Sequence, residues 1–246
     1  MNENRAQRVL RQHVQTDRLL GAEAVPIGQR PLFQQTSQLP NRHPTLDRPA
    51  KSRVLETMDT EQVRGCTKCG LCHSRTQTVF GEGDPDAQLM FIGEGPGQNE
   101  DQQGRPFVGR AGELLNKQIK AMGLERQQVY ITNIVKCRPP NNRTPAPDEV
   151  AACADYLRRQ IATIQPRVII TVGAPATKVL LQTREGITRL RGIWHSYSGL
   201  EPDGPAIGVM PTFHPAFLLR AYTPDNRRKV WSDLQQVMAK LAQSAT

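Results

Sequence analysis

A few short stretches hold most of the residues able to do chemistry. Cys66-x-x-Cys69 sets two thiols one turn apart, so both can reach a single metal centre. Cys137 and Cys153 form a second pair, joining a loop after one apolar run to the first turns of a helix. Folding can bring the two pairs together, and four thiolates suit either a zinc ion or an iron–sulfur cluster. Taken alone, Cys153 reads equally as a small apolar residue on a helix face.

Gly93-Glu94-Gly95-Pro96-Gly97 follows an apolar run directly, which makes a tight loop able to aim backbone N–H groups at an acceptor. It lacks the Lys-Ser/Thr of a P-loop and the G-x-G-x-x-G spacing, and the acidic Glu100-Asp101 that follows repels phosphate. Phe107 stands between Gly104 and Gly109 in a chain poor in aromatics; the plain alternative is a core phenylalanine. Asn133 ends a second apolar run, and His214-Pro215 follows a fourth, where a capping or core histidine is the competing reading.

These groups need a scaffold. Gln88–Ile92, Val129–Asn133, Arg167–Val172 and Ile207–Met210 are short apolar runs ended by polar, glycine or proline residues, as buried strands are. Between them lie helical patterns over Ala111–Leu124, Pro147–Ile164 and Ala174–Gln182, with a last one over Asn226–Ala242. This alternation predicts an α/β fold of three layers, α/β/α, around a largely parallel four-stranded sheet. Chemistry in such sheets gathers outside the carboxyl ends of the strands, where Gly93–Gly97, Asn133 and Phe213–Pro215 stand. Residues 1–60, rich in Gln, Arg, Thr and Pro without a sustained apolar period, are expected to form a disordered or loosely attached basic tail, with a short helix near Val9–Leu20; the catalytic domain is expected over 61–246.

The formal charge is +9, and a basic body favours a polyanionic partner through counterion release, although solubility alone explains many basic proteins. No stretch approaches the roughly 18 apolar residues of a membrane span. Met1–Leu20 lacks a secretory apolar core, so a cytoplasmic protein with reduced cysteines is expected.

Taken in order, Gly93–Asp101, Gly104-Arg105-Pro106-Phe107-Val108-Gly109, Thr132–Pro140 and His214–Arg220 resemble the family 4 (type 4) uracil-DNA glycosylases, and Cys66, Cys69, Cys137 and Cys153 match that family's [4Fe–4S] ligands. The resemblance runs from about Gln62 to Leu241 and leaves out residues 1–60. Cys72 extends Cys66-x-x-Cys69 like the opening of a ferredoxin ligand run whose fourth cysteine and proline are missing; it reads as a bystander thiol, with a ligand in place of Cys137 or Cys153 as the alternative, and the resemblance leaves it out of the ligand set. The resemblance implies a monomeric DNA-repair hydrolase that acts on uracil-containing DNA, releases free uracil and leaves an abasic site. It implies that Phe107 stacks on the extruded base, Asn133 reads its edge, and His214 with the Glu94–Gly95 loop stabilises the charge developing on O2. Glu94 is the first choice for positioning water or stabilising the sugar cation, with Glu100 and Asp101 as second choices or as braces. Leu218, Leu219 and Arg220 either contact DNA, wedging into the vacated stack, or form a first helical turn that packs inward.

Three other readings compete. A relative trapped covalently on DNA through a histidine in an inserted basic loop is disfavoured, because Arg138–Arg143 carries neither histidine nor insertion. A zinc-bound DNA-binding module without catalysis is separated by its lack of visible absorption near ~400 nm, where iron–sulfur centres absorb. A redox or radical enzyme needs an open iron and a cofactor site that the sequence does not offer.

Overall fold

The sheet follows from strands buried on both faces. A computed structural model of the chain describes residues 46–199 and 206–243. Within them β1 (Glu82–Gly83), β2 (Leu89–Gly93), β3 (Tyr130–Asn133), β4 (Val168–Val172), β5 (His195–Tyr197) and β6 (Ile207–Thr212) form one six-stranded sheet in the order β1-β3-β2-β4-β6-β5. The four inner strands are parallel and correspond to the four expected from the sequence. The count of four is corrected to six, because β1 and β5 add short antiparallel edges. At two and three residues, these edges carry no apolar run to announce them.

Alternation along the inner strands builds a core on each face. From β2, Met90 and Ile92 enter one core with Leu157 and Ile161; Leu89 and Phe91 enter the other with Leu115, Ile119, Leu234 and Val237. The helices are α1 (Arg48–Thr57), α2 (Gln98–Gln103), α3 (Arg110–Ala121), α4 (Pro147–Ile164), α5 (Ala174–Leu181), α6 (Ile187–Leu190), α7 (Pro215–Arg220) and α8 (Pro224–Ala242). With α1 and α4 on one side and α3 and α8 on the other, the three-layer α/β/α arrangement stands.

Within the segment expected as tail, Arg48–Thr57 form α1. Asp47 caps it by accepting from Ala50 N at 2.9 Å, and a π-turn over Met58–Val63 continues it. Leu55, Met58 and Val63 are buried in the core, and Lys51 Nζ donates to the last carbonyl of α4, Ile164 O, at 3.2 Å. The segment is polar except for these few contacts, which are too sparse to read as an amphipathic period. The expected helix near Val9–Leu20 lies outside the described residues. Among the described residues, no helix is long and apolar enough to cross a membrane.

Register sets up the site. Gly93 lies opposite Asn133 at the carboxyl ends of β2 and β3, and Val172 opposite Thr212 at those of β4 and β6. Beyond those ends, Gly173 N donates to Thr212 O at 2.9 Å and Ile134 N to Gly93 O at 2.9 Å. The loops of all four inner strands therefore leave on one rim.

Candidate active site

That rim is hollowed into a cavity of about 610 Å³, lined by Glu94 and Gly95 after β2, Phe107, Asn133 at the end of β3, and His214 after β6. Four segments spread over 120 positions of the chain are thereby brought to one enclosure. Arg143 and Arg220 also line it.

Asn133 is 1 % exposed, and its Oδ1 has no hydrogen-bond partner among the described residues. A buried, unpaired carbonyl costs about 1–3 kcal/mol, so its orientation is maintained by the surroundings rather than by a bond of its own. Gly93 is one reason: a Cβ there would lie 2.4 Å from Asn133 Oδ1 and 2.5 Å from Phe107 Cζ. Glycine is thus required where the amide, the phenyl ring and the strand end converge.

Phe107 has φ 51°, in the left-handed region that side-chain residues seldom occupy. Its loop is clamped from both sides. Glu100 Oε1 accepts from Val108 N at 2.9 Å and Gly109 N at 3.0 Å, while its Oε2 accepts from Gly97 N at 3.1 Å. Arg126 Nη1 donates to Phe107 O at 3.3 Å, and its Nε pairs with Glu82 at 2.7 Å. A Cβ on Gly112 would meet Phe107 O at 1.9 Å, so α3 approaches this loop as closely as its backbone allows. Both oxygens of Glu100 are engaged, and Asp101, 2 % exposed, accepts from Thr76 N at 2.9 Å through Oδ1. Both acids thus hold backbone N–H groups of neighbouring loops.

His214 caps α7 and faces the cavity at once. Its Nδ1 accepts from Ala216 N at 3.0 Å, so in the neutral ring the proton sits on Nε2. Burial, with the nearby Arg220 charge, pulls its pKa down to about 4, against a weaker opposing pull from Glu100. The imidazole is therefore neutral near pH 7 and retains one N–H donor. Its ring lies 5.7 Å from that of Phe107, at an interplanar angle of 30°. Glu94 is half-buried; burial raises its carboxyl pKa and a hydrogen bond with Thr144 partly offsets the rise.

Leu218, at 2 % exposure, packs into the core, because α7 turns that face inward. Leu219 and Arg220 lie on the exposed face.

Behind the rim, Cys66, Cys69, Cys137 and Cys153 line a single small cavity, together with Arg75 and Tyr156. Cys72 is not among its lining residues. Arg75 Nη1 donates to Cys137 Sγ at 3.2 Å and Cys66 O at 2.7 Å, which sets a positive charge against the sulfurs. Among the described residues, no three His, Cys, Asp or Glu side chains gather closely enough for one metal ion.

Three groups escaped the sequence reading. Arg126 has just been described. Lys136, 1 % exposed, donates from Nζ to Thr132 Oγ1 at 2.6 Å, Asn133 O at 2.8 Å and Gln160 Oε1 at 2.6 Å. Asp233, fully buried on α8, accepts from Thr212 Oγ1 at 2.6 Å and pairs with Arg191, fixing β6 just before His214. No spacing rule links these partners; an unusually placed Lys beside Cys137 was the one available signal.

Residues 80–235 match the uracil DNA glycosylase superfamily. Type-4 uracil-DNA glycosylases are similar over most of the chain. That of Sulfurisphaera tokodaii is 48 % identical over 182 residues, covering 72 % of this chain and 80 % of that protein. That of Thermotoga maritima is 46 % identical over 178 residues, covering 72 % and 90 %. This chain is a type-4 member of the uracil-DNA glycosylase superfamily. In this family member the matched region contains the whole rim, from the Glu94 loop to His214, while Cys66 and Cys69 precede residue 80.

Proposed function

We propose that the chain hydrolyses the N-glycosidic bond of uracil in DNA, releasing free uracil and leaving an abasic site. The unpaired Oδ1 of buried Asn133 carries this reading most directly. A base extruded from the stack, at a cost of a few kcal/mol, enters the cavity and stacks on Phe107. Asn133 Oδ1 then accepts from uracil N3–H, and Nδ2 donates to O4. Cytosine reverses the polarity at both positions and leaves buried groups unpaired; a two-bond amide contact of this kind discriminates by about 1–3 kcal/mol.

As the bond to C1′ breaks, its electron pair moves onto the uracil ring, chiefly O2, and positive charge develops on the sugar. His214 Nε2–H, together with backbone N–H groups of the Glu94–Gly95 loop, donates to O2. A preorganised donor of this type contributes about 3–4 kcal/mol in the transition state. The neutral ring gives up no proton in this step. The Glu94 carboxylate orients the water that adds to C1′ and faces the sugar cation. Arg220 and Leu219 lie on the exposed face of α7, where phosphates and the vacated stack would pass, and Leu218 packs beneath them.

Cys66, Cys69, Cys137 and Cys153 are proposed to hold a [4Fe–4S] cluster. The donors are four thiols that ring a cavity rather than a point, beside the cation of Arg75, which suits a broad, negatively charged cluster better than one zinc ion. Hydrolysis moves no electron, so the group serves to tie α1's exit segment to α4 and to the loop after β3. The domain is proposed to include α1 and to act as a monomer in the cytoplasm.

The test is a single-uracil oligonucleotide incubated with holoenzyme and then treated with alkali, with His214→Ala alongside. Strand scission that depends on uracil, and falls in the variant, supports the assignment. An intact strand with folded, cluster-loaded protein refutes it.

A further inference from the structure

Helix α7 is shared by two hollows. Ala216, Phe217 and Arg220 face the uracil cavity, while Leu218 floors a second groove of about 470 Å³ between α3 and α8. Its walls include Lys117, Tyr222, Arg227, Arg228 and Trp231. Two large rings remain in solvent here, Tyr222 at 56 % and Trp231 at 38 % exposure, in a chain where only 5 % of residues are aromatic. The Arg227 guanidinium lies 5.0 Å from the centre of the Tyr222 ring. Asp225, on the same first turn of α8, is neutralised by Lys229 at 2.7 Å and lies 3.9 Å from Arg228, so the rim stays basic.

Apolar rings set among cations match a strand of unpaired nucleotides, whose bases stack on π faces while their phosphates meet ammonium and guanidinium groups. An apolar helix of a protein partner would leave these cations without opposite charges. We propose that the groove holds single-stranded DNA flanking the extruded uracil, making it a second contact of the same substrate. This rests on the uracil-excising reading of the adjoining cavity. Continuity along α7 supplies the path: a chain leaving the cavity past Arg220 reaches the Tyr222 ring next.

The experiment uses holoenzyme and two probes. The first is a 12-nucleotide oligo-dT without uracil, followed by tryptophan emission. Quenching is expected in the wild type and largely abolished in Trp231→Phe, which leaves Trp194 as the remaining tryptophan. The second is a single-stranded uracil 20-mer, assayed with Tyr222→Ala and with the double variant Arg227→Gln/Arg228→Gln. Each is expected to raise KM about 5-fold or more with kcat retained, as removing one stacking platform or phosphate partner does. The double variant should also flatten the log–log salt slope by about 1.4, roughly 0.7 for each phosphate no longer neutralised. On uracil oligomers cut back to two nucleotides on the groove side, variants and wild type should coincide. Unchanged KM and salt slope in folded variants, with uracil released normally, overturn the groove alone. Normal oligo-dT quenching with no uracil release from any substrate overturns the excision reading and leaves the groove as a strand-binding surface.

Discussion

The buried Nζ of Lys136 donates to the main-chain carbonyl of Asn133 at 2.8 Å, so the residue proposed to read the base is fixed from behind by the neighbour of Cys137, a proposed cluster ligand. The same Nζ reaches Gln160 on α4, two turns beyond Cys153. Cys137, Lys136 and Asn133 thus form one short lever between the thiol cavity and the uracil cavity. Lys136→Met keeps most of the volume and removes all three bonds. It should destabilise the fold by about 1–3 kcal/mol, the cost of leaving a buried acceptor unsatisfied. It should lower kcat at least 10-fold with little change in KM, measured by denaturant unfolding and single-turnover excision. Normal kcat in a destabilised variant limits Lys136 to packing.

Gly93 gives a steric prediction. In Gly93→Ala the new methyl would intrude between Asn133 Oδ1 and the Phe107 ring, at 2.4 and 2.5 Å. Both groups are buried, and the open space beside them is the cavity itself, so either shift disturbs the site. The expected cost in stability is about 1–3 kcal/mol of overpacking. Excision should fall about 100-fold or more, because a displacement near 1 Å at the reading amide is costly. Circular dichroism and a uracil-release assay decide it; wild-type rates would show that the pocket has slack here.

His214 predicts a pH profile. With its pKa pulled down to about 4, the ring carries no charge change between pH 5 and 8, and kcat should show no inflexion near 6.5. A group whose folded pKa lies below its unfolded value of about 6.5 binds fewer protons in the folded state. Stability from this residue is therefore complete above pH 6.5 and is lost as pH falls from there toward 4. A kcat inflexion near 6.5 that disappears in His214→Asn would overturn the neutral-donor reading.

Legibility in the sequence followed separation along the chain. The inner strands declared themselves as apolar runs, and their polar ends marked Gly93, Asn133 and His214, because a parallel sheet gathers strand ends by its geometry. Arg126 and Glu82, 44 positions apart, and Asp233 and Thr212, 21 apart, are linked through packing alone, so no local pattern announced them. Helix α1 went unread because Leu55, with Met58 and Val63 of the π-turn that continues it, makes the segment's few core contacts. For Leu218, helical spacing permitted either face, and packing against α3 chose the inner one.

Asn133→Asp tests edge reading directly. An ionised carboxylate still accepts from uracil N3–H but cannot donate to O4, and it faces that oxygen with negative charge. When protonated, the same side chain can present a donor toward cytosine N3. Excision of uracil should fall about 10- to 100-fold, in line with about 1–3 kcal/mol for the paired amide bonds, and the ratio of uracil to cytosine release should narrow. Matched oligonucleotides carrying either base measure both numbers; unchanged rate with unchanged rejection of cytosine removes Asn133 from base recognition.

The thiol cavity gives the last prediction. Cys66 leaves the segment after α1, Cys137 the loop after β3, and Cys153 the first half of α4, so a shared cluster would cross-link pieces about 70 and 16 positions apart along the chain. Cross-links of this kind act mainly by restricting the unfolded chain, and longer loops gain more. Cys66→Ala/Cys153→Ala should lose the brown colour and absorption near ~400 nm together with several kcal/mol of stability, whereas Cys72→Ala, outside the cavity, should keep both. Because Lys136 ties the cavity to Asn133, partial loss of the cluster at a temperature where the fold persists should lower kcat before KM rises. A colourless double variant that melts with the wild type and excises uracil at full rate would dismiss the structural role. Retained colour in that variant would instead bring Cys72 into the ligand set.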